Sequence, residues 1–455
     1  MTRNMSLIRR IFFRVYYLST AVTYSVRRRL TAGGFLVLGI MVVLGAFGAD
    51  TNFTMAYQAF ALTACLLLVS VFWAASGRAR FSGSRWLPRY GTAGVPMPYR
   101  IQLKNLNPRP QRSLVLLESL GDPRPTLAQY LHTPEPGEQH RNWFDRICGY
   151  YRWRWLLVRN LGVRWRDLPV PALLPGAEIT LQHELLPQRR GILNLRQMVV
   201  AWPDPFGLCR SLRKIRCPQR VTILPKRYPI SPLALPGKRQ YQPRGVSLAS
   251  SIGESEEFIA LRDYRPGDPL KHVYWRATAK LNKPVIKEFQ DEFFVRHALV
   301  LDTFSERGET EAFEEAVSVA ASFACTIPEQ ESLLDLLFVG SRAYCFTSGR
   351  GVTHTEHLLE VLAGVSPASQ NDFATLHEMV LRHTSTVTGC ICVFLAWDEP
   401  RHNLVQQLRA MDLPVLVLII AERGTDELDP GPMRDCPERF RFVEVGKVKE
   451  GLARL

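Results

Sequence analysis

The chain has 455 residues, enough for roughly three domains of about 150 residues each, and 46% hydrophobic with 22% charged residues excludes wholesale disorder. Nine cysteines lie without CxxC pairs or histidines at zinc spacing, so a disulfide framework or zinc ribbon is not expected, and reduced cysteines in a reducing compartment are. The net charge of +15 invites an anionic partner, either nucleic acid or a membrane, and its distribution decides between them.

Residues 1–30 form a basic arm. Arg3, Arg9, Arg10, Arg14, Arg27, Arg28 and Arg29 stand there with no acid before Asp50. Interleaved Ile8, Ile11, Phe12, Val15, Tyr16 and Leu18 predict an amphipathic helix along a membrane surface, the alternative being a disordered basic tail. Residues 31–77 hold two uncharged apolar stretches, Thr31 to Ala49 and Asn52 to Ala75, each near the ~20 residues of a spanning helix. Only Asp50, Thr51 and Asn52 separate them, which predicts a two-helix transmembrane hairpin. Arg27 to Arg29 precede the hairpin and Arg78, Arg80, Arg85 and Arg89 follow it, so both termini are expected in the cytoplasm.

Residues 81–244 alternate with period two at Tyr99 to Asn105, Glu178 to Glu184 and Ile192 to Val200, broken by Pro, Gly and Asn. This predicts a small antiparallel β-sandwich, with Leu114 to Leu117 and Val221 to Leu224 as buried strands. An insertion at 142–166 mixes Trp and Tyr with Arg. It suits a membrane interface, a stacking surface for nucleic acid, or a helix packed on its own domain. Pro229 to Arg244 reads as a linker by its proline density.

Residues 245–295 carry the densest motif, from Gly253 to Lys280. Glu257-Phe258 leads into Leu261-Arg262-Asp263-Tyr264, and Arg265-Pro266-Gly267-Asp268 predicts a tight turn. Val273, Trp275 and Ala279 then alternate with polar neighbours up to Lys280.

The pattern G-x-x-x-E-F-x-x-L-R-x-Y-x-x-G-D, followed by Trp275 and Ala279-Lys280, resembles the signature of the domain of unknown function 58 family, although Lys271 and Lys280 stand where Arg is common. Arg190-Gly191, Asp204-Pro205-Phe206-Gly207-Leu208 and Ile223-Leu224-Pro225 resemble further landmarks of that family. The resemblance implies a bacterial inner-membrane protein that works with a MoxR-type AAA+ ATPase. Glu257, Arg262, Asp268 and Lys280 would then form a network clamping two domains together. Two alternatives stay open: an enzyme using the Glu257, Arg262, Tyr264 and Asp268 cluster, and a binder of anionic lipid or nucleic acid.

Residues 296–455 alternate buried apolar runs with amphipathic ones, which predicts a doubly wound α/β sheet. Strands are expected at Ala298 to Asp302, Leu333 to Val339, Ile391 to Ala396 and Val415 to Ala421, and helices at Glu311 to Ile327, His354 to Leu362, Ala374 to His383 and Leu404 to Met411. The order, with Asp302 closing the first strand, resembles a von Willebrand factor A domain, whose D-x-S-x-S motif holds a divalent metal. Here Phe304 and Glu306 replace both serines. Asp302, Ser305 and Asp398 leave a degenerate site with too few hard oxygen ligands for Mg²⁺. No phosphate loop, nucleophile elbow or metalloprotease motif is present, so no catalytic residue and no cofactor is expected.

Overall fold

In a computed structural model the described residues are 2–47, 54–230, 258–265, 273–289, 296–305, 310–329, 333–340, 342–348, 352–368, 373–422 and 429–453. The chain forms two units, residues 1–226 and 227–455. The first unit therefore ends just after its last strand, short of the expected boundary at 244.

The first unit opens with α1 (Thr2–Arg29), α2 (Ala32–Phe47) and α3 (Thr54–Ser76). Helices α2 and α3 pack on each other, with Gly45 against the Phe60 ring. Met55–Ser76 is long and apolar enough to cross a membrane, while the described part of α2 is apolar but shorter. The expected turn at Asp50 to Asn52 lies outside the described residues.

Next come β1 (Phe81–Trp86), β2 (Tyr90–Thr92), β3 (Met97–Asn105), β4 (Leu114–Leu120), α4 (Leu127–His132), α5 (Trp143–Cys148), α6 (Tyr150–Leu161), β5 (Val163–Trp165), β6 (Leu168–Val170), β7 (Glu178–Pro187), β8 (Gly191–Pro203) and β9 (Arg210–Leu224). They make two sheets, ordered β1-β3-β7-β5 and β2-β9-β8-β4-β6. Alternation along β3 puts Tyr99, Ile101 and Leu103 in a core shared with Leu114, Leu116, Met198 and Val200 of the other sheet. The pairing is antiparallel except for β2 on β9, which runs parallel and so departs from the expected wholly antiparallel pairing.

The β8–β9 register breaks between Leu195 and Gln197, opposite Cys217-Pro218-Gln219. A proline has no N–H to give the ladder and sits well at such a bulge. Arg85 fills the break, donating to the carbonyls of Leu195 (3.3 Å) and Cys217 (2.7 Å). It also forms a fully buried ion pair with Glu118 at 2.5 Å, and the Tyr99 hydroxyl donates to the same carboxylate at 2.8 Å. Arg85, expected among the membrane-flanking charges, is thus a core residue.

The second unit contains β10 (Phe258–Asp263), α7 (Trp275–Leu281), β11 (Val285–Phe289), β12 (Arg296–Leu301), α8 (Glu311–Glu329), β13 (Leu333–Val339), β14 (Ala343–Ser348), α9 (Val352–Gly364), α10 (Phe373–His383), β15 (Gly389–Phe394), α11 (Glu399–Ala410), β16 (Val415–Ala421), β17 (Phe440–Glu444) and α12 (Val448–Ala453). Its six-stranded sheet is ordered β14-β13-β12-β15-β16-β17. All neighbours are parallel except β14, which reverses on the edge, so the sheet is mixed rather than wholly parallel. One face, with Val300, Leu337, Cys392 and Val417, packs on Leu376 and Val380 of α10 and Leu404 and Leu408 of α11. The alternate residues Leu299, Leu336, Ile391 and Leu418 are equally buried, and α8 crosses β12, β13, β15 and β16. Strands buried on both faces explain the unbroken apolar runs.

Candidate functional site

The signature folds as a strand–helix–strand unit. β10 pairs antiparallel with β11, Asp263 opposite Val285, and α7 lies between them in sequence. Residues expected to alternate as Val273, Trp275 and Ala279 are mostly helical, because Tyr274 starts a turn whose carbonyl accepts from Ala277 and Thr278. Asn282 ends α7 in the left-handed region at φ 50°, a conformation Asn tolerates. Val273 is buried and bridges Ile286, and Val285 N–H donates to Thr278 Oγ1 at 3.1 Å.

The predicted signature residues divide three ways. Gly253, Glu257, Gly267 and Asp268 lie outside the described residues. Phe258 is the first residue of β10. Arg262 is half-buried and donates to the Asp263 carbonyl at 3.2 Å, and Tyr264 N–H donates to the Pro284 carbonyl at 3.0 Å. Trp275 (68% exposed) and Lys280 stand in solvent on α7. Asp263 pairs with Lys283 at 2.9 Å across the exposed end of the ribbon.

A second cluster forms at the carboxyl ends of β12 and β15, where the strand order reverses and doubly wound sheets hold ligands. Asp302 is fully buried there. Its Oδ1 accepts from Phe304 N–H (3.0 Å) and its Oδ2 from Leu395 N–H (3.0 Å) and Arg401 Nε (2.8 Å), and the second Arg401 nitrogen stands at 2.7 Å. Arg401 reaches back from α11, where Asp398 is the N-cap and pairs with it at 2.5 Å, and its guanidinium lies over the Phe373 ring. Burial raises the Asp302 carboxyl above its ordinary value, opposed by Arg401 and the two N–H donors. Asp302 and Asp398 are therefore joined through an internal guanidinium, and Ser305 is half-buried. Thr303 instead donates its hydroxyl to the Val339 carbonyl. Among the described residues no group of three His, Cys, Asp or Glu side chains gathers for a metal.

Arg401 was not singled out in the sequence. The Asp398-x-x-Arg401 spacing at a helix start signals the local pair, but Asp302 lies 99 residues away. The Asp204-Pro205-Phe206-Gly207-Leu208 turn has a structural task. Asp204 accepts from Cys209 N–H at 2.8 Å, Gly207 sits at φ 71°, and the Gly207 and Leu208 carbonyls accept from Thr31, whose N–H lies 3.0 Å from Leu208. It brackets the start of α2.

The aromatic-basic insertion folds as α5 and α6 and packs on its own unit. Trp153 sits between Phe13, Tyr16 and Tyr130, and its indole donates to Thr20 at 3.0 Å. Arg152 is buried against Glu138 and the Tyr130 carbonyl, whereas Arg146, Arg154, Arg164 and Arg166 are exposed. Trp143 and Phe144 also stand in solvent.

Residues 260–432 match the family described as "Protein of unknown function DUF58". The uncharacterized protein YeaD of Bacillus subtilis (strain 168) is 27% identical over 187 residues, 41% of this chain and 45% of that protein. The chain therefore aligns with less than half the length of this curated relative. Among solved structures, the CARDB domain of a Pyrococcus furiosus protein in complex with di-metal ions aligns with 32% of this chain and 93% of its own at 10% identity and a TM-score of 0.17. A β-glucosidase from Listeria innocua aligns with 32% of this chain and 17% of its own at 12% identity and a TM-score of 0.13. At those scores neither likeness bears on the fold. From within β10 to beyond β16, the chain is similar to the DUF58 family.

Proposed function

We propose that this chain is a two-span protein of the bacterial inner membrane with both termini in the cytoplasm, a non-catalytic adaptor on which a MoxR-type AAA+ ATPase acts. The observation that carries the non-catalytic part is Asp302, whose two oxygens are held by Arg401 and two backbone N–H groups at the ligand position of the sheet. A carboxylate so engaged offers neither a free base nor an open metal ligand. The strand order, with an antiparallel edge at β14, supports a von Willebrand factor A-like reading in which Arg401 stands where a cation would. The resemblance of the signature motif supports the ATPase as partner, and the apolar α2 and α3 support the anchor, with other membrane or envelope proteins as clients. The test is to purify the C-terminally tagged chain from membranes of cells whose MoxR-type ATPase is locked in its ATP state. Co-elution that disappears when ATP is removed is expected. The chain eluting without the ATPase in both conditions would sink the adaptor reading.

A further inference from the structure

Helix α1 runs for 28 residues, and its apolar residues divide between two faces. Arg9, Phe13, Tyr16 and Thr20 are turned toward α4, α5 and α6. Ile8, Ile11, Val15, Leu18 and Val22, spaced three and four apart, lie roughly 150° away around the helix and are all exposed, Leu18 at 66%. Exposed Arg10 and Arg14 line one edge of this stripe, Arg29 ends it, and α1 holds no acid. The helix is followed after Leu30 and Thr31 by the apolar α2, whose first turn is tied to the Gly207 and Leu208 carbonyls.

We propose that this stripe of α1 lies in the headgroup layer of an anionic lipid bilayer, so that the helix is held between its own domain and the membrane; the inference rests on the membrane anchorage proposed above. Three features favour a lipid surface. A one-sided apolar face bordered by arginines is the form of an interfacial helix. The stripe leads directly into an apolar helix, which keeps it close to the bilayer. An acid-free helix gains from negatively charged headgroups. A second copy of α1 fits less well, because the stripe covers only about two heptads where a coiled coil needs three to four, and Arg14 beside the seam would face its own copy.

The test uses the full-length chain with a photo-crosslinking amino acid replacing Ile11, Val15 or Leu18 in turn, reconstituted in phosphatidylcholine nanodiscs with and without phosphatidylglycerol. A fourth variant at Leu68, an exposed position of α3, reports the anchor separately. Lipid adducts at all three α1 positions, rising several-fold with phosphatidylglycerol, are expected, together with adducts at Leu68 in either lipid. Adducts at Leu68 with none on α1 would overturn this inference and leave the anchor standing. A crosslinked dimer at Leu18, or α1 adducts indifferent to phosphatidylglycerol, would overturn it as well. No adduct at any of the four positions would remove the anchor and this inference together.

Discussion

His297 and Arg401 show how burial sets what single side chains do in the second unit. His297 is buried on β12, and desolvation pushes its ring from 6.5 down to about 4. The folded ring stays neutral where the unfolded one takes up a proton. Its contribution is therefore fully present above about pH 6.5 and is lost as pH falls toward 4, by on the order of 3 kcal/mol. Denaturant unfolding at pH 7.5 and 4.5 should show that loss, and His297→Leu should reduce it; an unchanged slope in the variant would refute the assignment. Arg401→Met would leave Asp302 buried beside two N–H donors without its cation, and breaking a buried pair costs about 3–5 kcal/mol. Because Arg401 already holds Asp302 Oδ2 and Phe304 N–H holds Oδ1, millimolar Mg²⁺ should not raise the melting temperature of the wild type. An EDTA-reversible rise would show that a metal site exists.

Among elements, the start of α2 is tightly specified. A Cβ built on Gly34 would stand 2.2 Å from the Leu208 carbonyl oxygen and 2.8 Å from Leu30 Cδ2. The obstacle is backbone, which cannot swing aside as a long side chain can. Gly34→Ala should thus cost about 1–3 kcal/mol and loosen the Thr31 contacts with the 204–208 turn. Thermal unfolding of the detergent-solubilised chain reads the first effect, and proteolysis near Thr31 the second. Gly39→Ala, with nothing within 4 Å of its Cβ, is the matched control. Equal behaviour of the two variants would show that the bracket does not position α2.

For the whole molecule, the distribution of arginine supports the proposed topology. Arg85 is withdrawn into the core by Glu118, yet Arg27, Arg29 and Arg78 remain exposed beside the apolar helices. Lys and Arg flanking a span hold that side in the cytoplasm. A reporter active only outside the cytoplasm, fused after Leu455, should therefore stay silent, and the same reporter placed between α2 and α3 should be active. A strong signal at the C-terminus would invert the arrangement.

Local patterning made much of the architecture legible. The alternation read from Tyr99 to Asn105 is β3, the runs at Leu333 to Val339 and Val415 to Ala421 are β13 and β16, and the uncharged stretch after Asn52 contains α3. These features depend on periods of two, of 3.6, or on unbroken apolar length, and each is complete within one segment. Part of the signature was illegible for the same reason: between Val273 and Lys280 the apolar spacing fits a strand, while the Tyr274 turn and the docking of Thr278 on β11 make it a helix. The pairings needed the tertiary structure. Asp302 found Arg401 across 99 residues and Arg85 found Glu118 across 33, because a charge buried in a low-dielectric core must meet its partner wherever the fold brings one. Composition established that α1 is basic and apolar. Only packing decided that Phe13 and Tyr16 belong to the protein while Ile11 and Leu18 are left facing outward.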